Sequence, residues 1–344
     1  MNPPGPDRRR VTMSDVASVA GVHKSTVSLA LRNQPKLNAA TRERIRKIAA
    51  ELGYQPDPML DLFNLYRRTL APPQPVGAIA FVSDLPNQAA LARSERHEMI
   101  FSAAREEAKR LNFALELFLV GPAQLSPARL AQVLQARGIT GILLGALSPA
   151  TRSLNIDWGK FCVVGIESMQ VEPRVDNVST DYCQAARLST LEHWRRGRRK
   201  IGFVVAQSLG PEIESQLRAG YLVETYARLP AQVVSFFRIN EEGENSGDLS
   251  EWIMAGKLDA VVGCGVNVPG LATRIHSGMG GRVTWSSIDI RSTQTAYPCV
   301  PALHSELGRR AVELLIMRLQ INLLGLPANP ATTFFPVEWR AGAE

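Results

Sequence analysis

The sequence is poor in the residues that metal and redox sites need. Its 344 residues include only four cysteines and five histidines. The histidines are too far apart to predict a metal site, and no Walker-type phosphate loop occurs. We therefore expect no metal, no cofactor and no catalytic constellation. Four scattered cysteines without metal-ligand spacing, mostly in apolar runs, are expected to be reduced core residues: Cys162, Cys183, Cys264 and Cys299.

Long apolar runs are also missing. No run reaches the length that crosses a bilayer, and the N-terminus lacks the apolar core of a signal peptide. We therefore expect no membrane partner and no export, which places the protein in the cytoplasm.

What the sequence does contain is a compact helical unit, residues 11–57, before a much larger body. A first helical pattern starts at Ser14, a good N-cap, and Gly21 breaks it. A second short helix follows through residues 26–31, so helix, glycine-containing turn and helix form a helix-turn-helix unit. Asn38 can cap a third helix whose apolar residues fall at helical spacing.

The second helix predicts how this unit would contact DNA. Its apolar residues lie three and four positions apart and pack inward, which turns the opposite face toward a major groove. Lys24 can donate to guanine, Ser25 can bond either base type, and Leu29 can meet a thymine methyl. In a single isolated helix, these residues would be interpreted as a merely solvated face. Two helices, the turn and a third helix in order favour a DNA-binding surface instead. Phosphate contacts, which set register only, suit Thr12, Ser28, Arg32, Lys36 and Asn38.

Charge is concentrated at the same end of the chain. Residues 1–70 hold twelve Lys or Arg against six Asp or Glu, whereas the whole chain holds 39 against 32. A cationic end on a nearly neutral body is typical of a protein whose end binds phosphate. The arginines within residues 1–10 we interpret as part of a disordered basic tail.

An ordered set of residues runs through the three helices: Thr12, Asp15, Val16, Ala17, Ala20, Gly21, Val22, Thr26, Val27, Ser28, Thr41, Arg42, Leu52, Gly53, Tyr54 and Pro56. With this set, residues 11–56 resemble the DNA-binding head of the lactose-repressor/galactose-repressor (LacI/GalR) family of bacterial transcription regulators. The resemblance implies a homodimer that binds a pseudo-palindromic double-stranded DNA operator in the bacterial nucleoid. It also shows two departures, because the family usually has serine at His23 and often arginine at Leu29. His23 is a poorer cap than serine but could bond a phosphate, so we expect an unusual operator.

Residues 58–75 stand where the family has a hinge. The resemblance implies a short helix whose apolar wedge, Leu62 or Phe63, enters the minor groove. Asp61 opposes this, since phosphates would repel it. An amphipathic helix docked on the body or on the partner subunit therefore remains an equal alternative. The predicted DNA-contacting set is Thr12, His23, Lys24, Ser25, Thr26, Ser28, Leu29, Arg32, Lys36, Asn38, Tyr54, Leu62 and Phe63.

From residue 76 short apolar runs alternate with amphipathic helices, a pattern typical of an α/β domain with parallel sheets. About 270 residues suit two doubly wound lobes. Together with the family resemblance, this pattern predicts an all-α helix-turn-helix head plus a two-lobed α/β domain, residues 76–344; the resemblance implies that this domain is periplasmic-binding-protein-like and serves ligand binding and dimerisation. The family resemblance places lobe 1 at about 76–175 and 300–328, and lobe 2 at about 176–299 and 329–344.

The expected elements of this body follow from the apolar pattern. The predicted strands are Val76–Val82, Ala114–Val120, Gly141–Gly145, Phe161–Ile166, Lys200–Val205, Val233–Phe237, Ala260–Val262 and Val283–Ile288. The predicted helices are Met99–Leu111, Pro127–Arg137, Tyr182–Arg195, Glu212–Arg228 and His304–Leu324.

A two-lobed clamp predicts a small ligand in the cleft where the strand ends of both lobes meet. The resemblance implies a sugar or a related metabolite, with Asp289 as a contact, since carboxylates suit hydroxyls. Arg218 and Asn267 stand one position from the family's other polar contacts. A one-residue shift turns a helical side chain by about 100°, so a solvated role for Arg218 is slightly preferred.

Three classes of function remain open. The first is a transcriptional repressor, and a ligand bound in its cleft modulates its affinity for the operator. This class accounts for the head, for the concentration of positive charge at the N-terminal end and for the clamp. The second is a cytoplasmic solute-binding or sensor protein whose clamp has lost its effector response. The third is an α/β enzyme fused to a DNA-binding head, for which no acid–base or nucleophile constellation is visible.

Overall fold

The structure of the protein is a computed structural model. It describes residues 11–31, 37–54, 75–145, 147, 151, 153–168, 172–207, 209–228, 235–239, 246–279, 283–290, 297–301 and 303–342. The predicted tail and almost all of the predicted hinge lie outside these ranges. Among the helices described, none combines the length and the apolar character that crossing a membrane requires.

Beyond the head, the described ranges contain strands interspersed with helices. The helices are α1 Met13–Ala20, α2 Lys24–Leu31, α3 Ala39–Glu51, α4 Gln88–Arg93, α5 Glu95–Arg110, α6 Pro127–Ala136, α7 Tyr182–Arg195, α8 Pro211–Arg228, α9 Ser246–Gly256, α10 Val268–Met279 and α11 His304–Gln320. The strands are β1 Gly77–Ser83, β2 Phe113–Leu119, β3 Gly141–Leu144, β4 Cys162–Ile166, β5 Asp176–Thr180, β6 Ile201–Ala206, β7 Phe236–Ile239, β8 Ala260–Cys264, β9 Thr284–Ile290, β10 Cys299–Pro301 and β11 Thr332–Phe335.

The first lobe is built on a six-stranded sheet in the order β11-β5-β4-β3-β1-β2, with every pairing parallel. Alternate side chains of β1 enter different cores, as the two-residue period of a strand requires. Ile79 and Phe81 pack against α5 and α11, whereas Ala80 and Val82 pack against α6. Both faces of the sheet are therefore covered, which a parallel sheet needs.

The second lobe repeats this design on a five-stranded sheet in the order β10-β9-β8-β6-β7, again all parallel. Helices α7 and α8 cover one face through Tyr182, Leu217 and Tyr221. Helices α9 and α10 cover the other face through Leu249 and Leu271. The two doubly wound lobes confirm the predicted fold class.

The lobe boundaries differ from those predicted. Strand β5 belongs to the six-stranded sheet of the first lobe, so the chain first crosses after Thr180 and not near residue 175. Strand β11 also joins that sheet beside β5, although residues 329–344 were expected in the second lobe. The last residues then return to the second lobe, where Arg340 forms an isolated bridge with Cys299. The chain thus passes between the lobes three times.

Two glycines allow helices to approach each other closely. A methyl group at Gly308 of α11 would collide with the carbonyl oxygen of Ile100 in α5. A methyl group at Gly220 of α8 would collide with the carbonyl oxygen of Cys183 in α7. Each lobe therefore has one helix pair whose spacing only glycine permits.

A buried ion pair ties α11 to the edge of the first sheet. The guanidinium of Arg318 pairs with the carboxylate of Asp176 at the start of β5, and both side chains are largely buried. The second oxygen of Asp176 accepts the N–H of Ala331 at 2.9 Å, just before β11. One carboxylate thus joins three segments that are far apart in the chain.

We predict that Arg318→Met destabilises the protein strongly, because it leaves the Asp176 carboxylate buried without its counter-charge. The expected loss in the free energy of unfolding is about 3 kcal/mol. The matched control is Arg309→Met on the same helix, whose pair with Glu306 is exposed, and it should cost less than about 1 kcal/mol. Urea unfolding of the full chain measures both. Equal losses in the two variants would contradict the role of the buried pair.

Candidate functional site

The head is a three-helix unit around one small apolar core. Residues from all three helices are fully or almost fully buried, and half-buried apolar side chains surround them. The buried set is Val16, Ala17, Ala20, Val27, Ala30, Ile45 and Ala49. The packing fixes which face of α2 remains outside, and that face is the predicted reading surface.

Helix α1 begins at Met13, two residues before the start expected with Ser14 as the N-cap. Thr12 is the N-cap, and its hydroxyl accepts the N–H of Asp15 at 3.3 Å. The Asp15 carboxylate accepts the N–H and the hydroxyl of Thr12, each at 2.7 Å. This reciprocal capping box outweighs the single cap that Ser14 would provide. Gly21 then ends the helix in the left-handed region, at φ 64°.

Helix α2 presents a polar face of the kind that was predicted. Lys24 and Ser25 are exposed, whereas Val27 and Ala30 are completely buried. Three further residues of the predicted contact set are half-buried along the helix: Thr26, Ser28 and Leu29. The helix therefore offers a cationic and a hydroxyl group at its N-terminal end, the end that enters a groove in helix-turn-helix proteins.

His23 accepts hydrogen bonds from the first turn of α2. Its backbone carbonyl accepts the N–H of Thr26 at 2.8 Å and that of Val27 at 3.2 Å. Its ring nitrogen Nδ1 accepts the N–H of Ser25 at 3.3 Å and lies 2.8 Å from the Ser25 hydroxyl oxygen. His23 is thus the N-cap of α2 through both backbone and side chain.

The remaining predicted head residues are divided. Asn38 caps α3, as expected, because its side-chain oxygen accepts the N–H of Ala40 at 2.9 Å. Tyr54 packs on the head core beyond Gly53, which has the left-handed φ of 71° expected after a helix. Four predicted contacts lie outside the described residues: Arg32, Lys36, Leu62 and Phe63.

The three predicted ligand residues of the second lobe have different surroundings. Asp289 belongs to β9, near its carboxyl end. Asn267 follows β8, and its side-chain oxygen accepts the N–H of Gly270 at 3.1 Å inside the first turn of α10. Arg218 is engaged elsewhere: it donates to Glu214 at 2.7 and 2.9 Å and lies 4.1 Å from the ring centre of Phe236. The interpretation of Arg218 as a helix-surface residue is therefore favoured.

A polar cluster in the first lobe was not predicted from the sequence. Glu167 follows β4 directly, at the carboxyl edge of the sheet where open α/β sheets bind ligands. Its buried carboxylate pairs with Arg96 at the start of α5 and accepts the hydroxyl of Tyr182 at 3.0 Å. Because Tyr182 lies in the core of the second lobe, this hydrogen bond joins the two lobes. The sequence signal that could have indicated this cluster is an acidic residue, Glu167, directly after a buried strand.

The charges in this cluster shift two pKa values. Burial alone would raise the pKa of the Glu167 carboxyl, but Arg96, His304 and the Tyr182 hydroxyl together hold it below its usual range. The pKa of His97 is lowered to about 4, mainly by burial; the neighbouring Arg96 lowers this pKa by more than Glu167 raises it. The cluster therefore holds an ionised Glu167 beside a neutral His97 at neutral pH.

We predict that acid destabilises the protein through His97. The unfolded chain takes up a proton near pH 6.5, whereas the folded His97 does so only near its pKa of about 4. The free energy of unfolding should therefore fall as pH is lowered from about 6.5 to about 4, by up to about 1.4 kcal/mol per pH unit for such a residue.

Buried His193 in the second lobe, with a pKa also lowered to about 4 mainly by burial, should contribute a similar slope. His97→Gln and His193→Gln should each remove about half of the slope that the two histidines cause. Urea unfolding at several pH values measures it, and an unchanged slope in His97→Gln would contradict the assignment.

Comparisons with known proteins agree with this arrangement. Residues 12–57 match the family model described as bacterial regulatory proteins, lacI family. The repressor CytR of Escherichia coli is 54% identical over 48 residues, which cover 14% of each chain. The NTD biosynthesis operon regulator NtdR of Bacillus subtilis is 24% identical over 213 residues, or 61% of this chain and 60% of NtdR. The matched stretch thus spans less than two thirds of either relative.

Solved structures share the fold over almost the whole length. A complex of the transcriptional regulator CelR with cellobiose superimposes with a TM-score of 0.63 at 19% identity, covering 97% of this chain and 99% of that one. A lac repressor dimer bound to operator gives a TM-score of 0.57 at 16% identity, covering 96% and 98%. The head of this chain, residues 12–57, therefore matches the lacI family, and its two-lobed body shares the fold of these solved regulators.

Proposed function

We propose that this protein is a sequence-specific DNA-binding transcriptional regulator, acting as a repressor, whose operator affinity a small ligand modulates. The observation that carries the proposal is the head. Its core buries Val27 and Ala30 of α2 and leaves Lys24 and Ser25 exposed at the end that would enter a major groove. The similarity of this head to that of the repressor CytR supports the same function.

The proposed DNA-binding form is a homodimer on a pseudo-palindromic operator. One head of three short helices contacts too few base pairs for high specificity, and each mismatched pair costs only about 1–3 kcal/mol. Two heads related by a twofold axis double the number of bases read. The shared fold with a lac repressor dimer bound to operator supports this assembly.

The proposed effector site is the cleft between the lobes. Asp289 lies near the carboxyl end of β9 in the second sheet and is the proposed carboxylate contact, whereas the buried Glu167 at the carboxyl edge of the first sheet is already engaged by Arg96 and Tyr182. Carboxylates suit the hydroxyl groups of a sugar, and the shared fold with the CelR–cellobiose complex supports a carbohydrate. Asn267, at the start of α10, remains a proposed ligand contact. Arg218 is a weaker candidate, because its guanidinium is already paired with Glu214.

The proposed coupling between ligand and DNA is thermodynamic. A ligand that binds one arrangement of the lobes better shifts the population toward it, and with it the spacing of the two heads. The three crossings and the Tyr182–Glu167 hydrogen bond are the elements that a change of lobe arrangement would have to alter. The protein would act in the cytoplasm, with the DNA, and we assign it no catalytic residue.

The direct test is selection of bound sequences from a random DNA pool by the full chain. We expect enrichment of two inverted half-sites. Lys24→Ala should then weaken binding to the enriched site by about tenfold or more, because one base contact contributes about 1–3 kcal/mol.

The matched control is Lys257→Ala in the second lobe, which should bind the enriched site like the original protein. Gel-shift titration at fixed salt measures all three proteins. Failure of the full chain to enrich any sequence would remove the proposed function, and equal affinities for the two variants would remove the role of Lys24.

A second prediction concerns the effector. Among a panel of mono- and disaccharides that includes cellobiose, we expect one to raise the melting temperature and to change operator affinity. A sugar present at 100 times its Kd should stabilise the folded protein by about 2.7 kcal/mol. Asp289→Asn should lose both responses and keep its operator affinity in the absence of sugar.

Lys24→Ala provides the opposite control, since it should lose operator affinity and keep the sugar-induced rise in melting temperature. Thermal unfolding and gel shift with the same samples separate the two functions. A panel without any response would contradict a carbohydrate effector, and a full response in Asp289→Asn would contradict the contact.

A further inference from the structure

The contact between His23 and Ser25 has a consequence for how DNA is read. Both side chains are exposed at the N-terminal end of α2, next to Lys24. The Nδ1 atom of His23 accepts the backbone N–H of Ser25 at 3.3 Å. A ring nitrogen that accepts a hydrogen bond carries no hydrogen, so the ring hydrogen of His23 is on Nε2.

The same nitrogen fixes the hydroxyl group of Ser25. The Ser25 oxygen lies 2.8 Å from Nδ1, and since Nδ1 has no hydrogen to offer, the hydroxyl must donate its own. A serine hydroxyl has one hydrogen and two lone pairs. With its hydrogen given to His23, Ser25 retains only acceptor capacity toward any other partner.

We propose that His23 is a specificity-determining positioning residue, which acts by turning Ser25 from a two-way hydrogen-bonding group into an acceptor. The inference rests on the proposed function, because it concerns the face of α2 that would enter a major groove. In that groove adenine N6 and cytosine N4 are donors, whereas guanine and thymine present O6, N7 and O4 acceptors. Ser25 should therefore select adenine or cytosine at the position it meets.

Lys24 completes the distinction. Its ammonium group has three donors and no acceptor, so it selects the acceptor edge of guanine. Two neighbouring exposed residues thus read opposite kinds of base edge. Without His23, Ser25 would no longer differ from Lys24 in this way, because a free serine hydroxyl can rotate to donate a hydrogen bond as well as accept one.

The test is base selection by the full chain and three variants. Ser25→Ala identifies the operator position that Ser25 reads, as the position whose preference disappears. At that position His23→Ala should reduce the preference for adenine or cytosine by about two- to tenfold, the equivalent of one hydrogen bond. His23→Asn keeps a side-chain acceptor for both the N–H and the hydroxyl of Ser25, so it should retain the preference. Melting temperatures show that each variant is folded.

The outcomes separate this inference from the proposed function. A full chain that enriches no sequence overturns both. A full chain that enriches an operator, with an unchanged preference in His23→Ala, overturns only the role of His23. Two further results also overturn the role of His23: an equal loss of base preference in His23→Ala and His23→Asn, or a loss of preference at every operator position. In either case the acceptor at residue 23 would not be the cause of the preference at the Ser25 position. The role of His23 is supported if His23→Ala loses the base preference only at the position that Ser25 reads and His23→Asn retains it.

Discussion

Helices as short as those of the head are marginal alone in water, and this constraint determines which face of the head remains exposed. Helices α1, α2 and α3 have 8, 8 and 13 residues, whereas isolated helices shorter than about 12–15 residues are marginal. Their stability must come from the shared apolar core and from the caps at Thr12, His23 and Asn38. Since Val27 and Ala30 are needed inside that core, the exposed position of Lys24 and Ser25 is a consequence of packing.

The caps connect stability with recognition. A residue that caps a helix accepts N–H groups that have no partner within the helix. In α2 this residue is His23, and its cap also engages the hydroxyl of Ser25. The body couples its parts in a comparable way, because Glu167 of one lobe holds Tyr182 of the other while remaining ionised beside Arg96. In both regions one side chain hydrogen-bonds a neighbour that lies in another functional part of the molecule or at the proposed reading face.

Regular apolar patterns were sufficient to predict much of the fold. The head, the doubly wound sheets and α7, with its bounds Tyr182–Arg195, follow from them. Strands β5 and β11 were missed because they are short and rich in polar residues, so they show no apolar run. Their place in the first sheet depends on contacts across the sequence, such as Arg318 with Asp176. The same reason explains why the lobe boundaries were wrong.

The candidate site was predictable only in part. The reading face of α2 follows from helical periodicity, which needs no knowledge of the fold. The inter-lobe cluster of Arg96, Glu167 and Tyr182 joins positions more than 70 residues apart, so only the folded chain reveals it. The cap by Thr12 in place of Ser14 depends on the reciprocal bonds with Asp15, and the engagement of Arg218 depends on Glu214 and Phe236.

The most direct measurement of the central claim is the affinity of the full chain for its selected duplex and for a scrambled duplex, as salt is raised. We expect an affinity ratio of about 10³ or more in favour of the selected sequence at physiological salt. We also expect the affinity for both duplexes to fall linearly on a log–log plot against salt, because a cationic head that binds DNA releases counterions from phosphates. Equal affinities for the two duplexes, or an affinity that does not change with salt, would contradict sequence-specific DNA binding by the head.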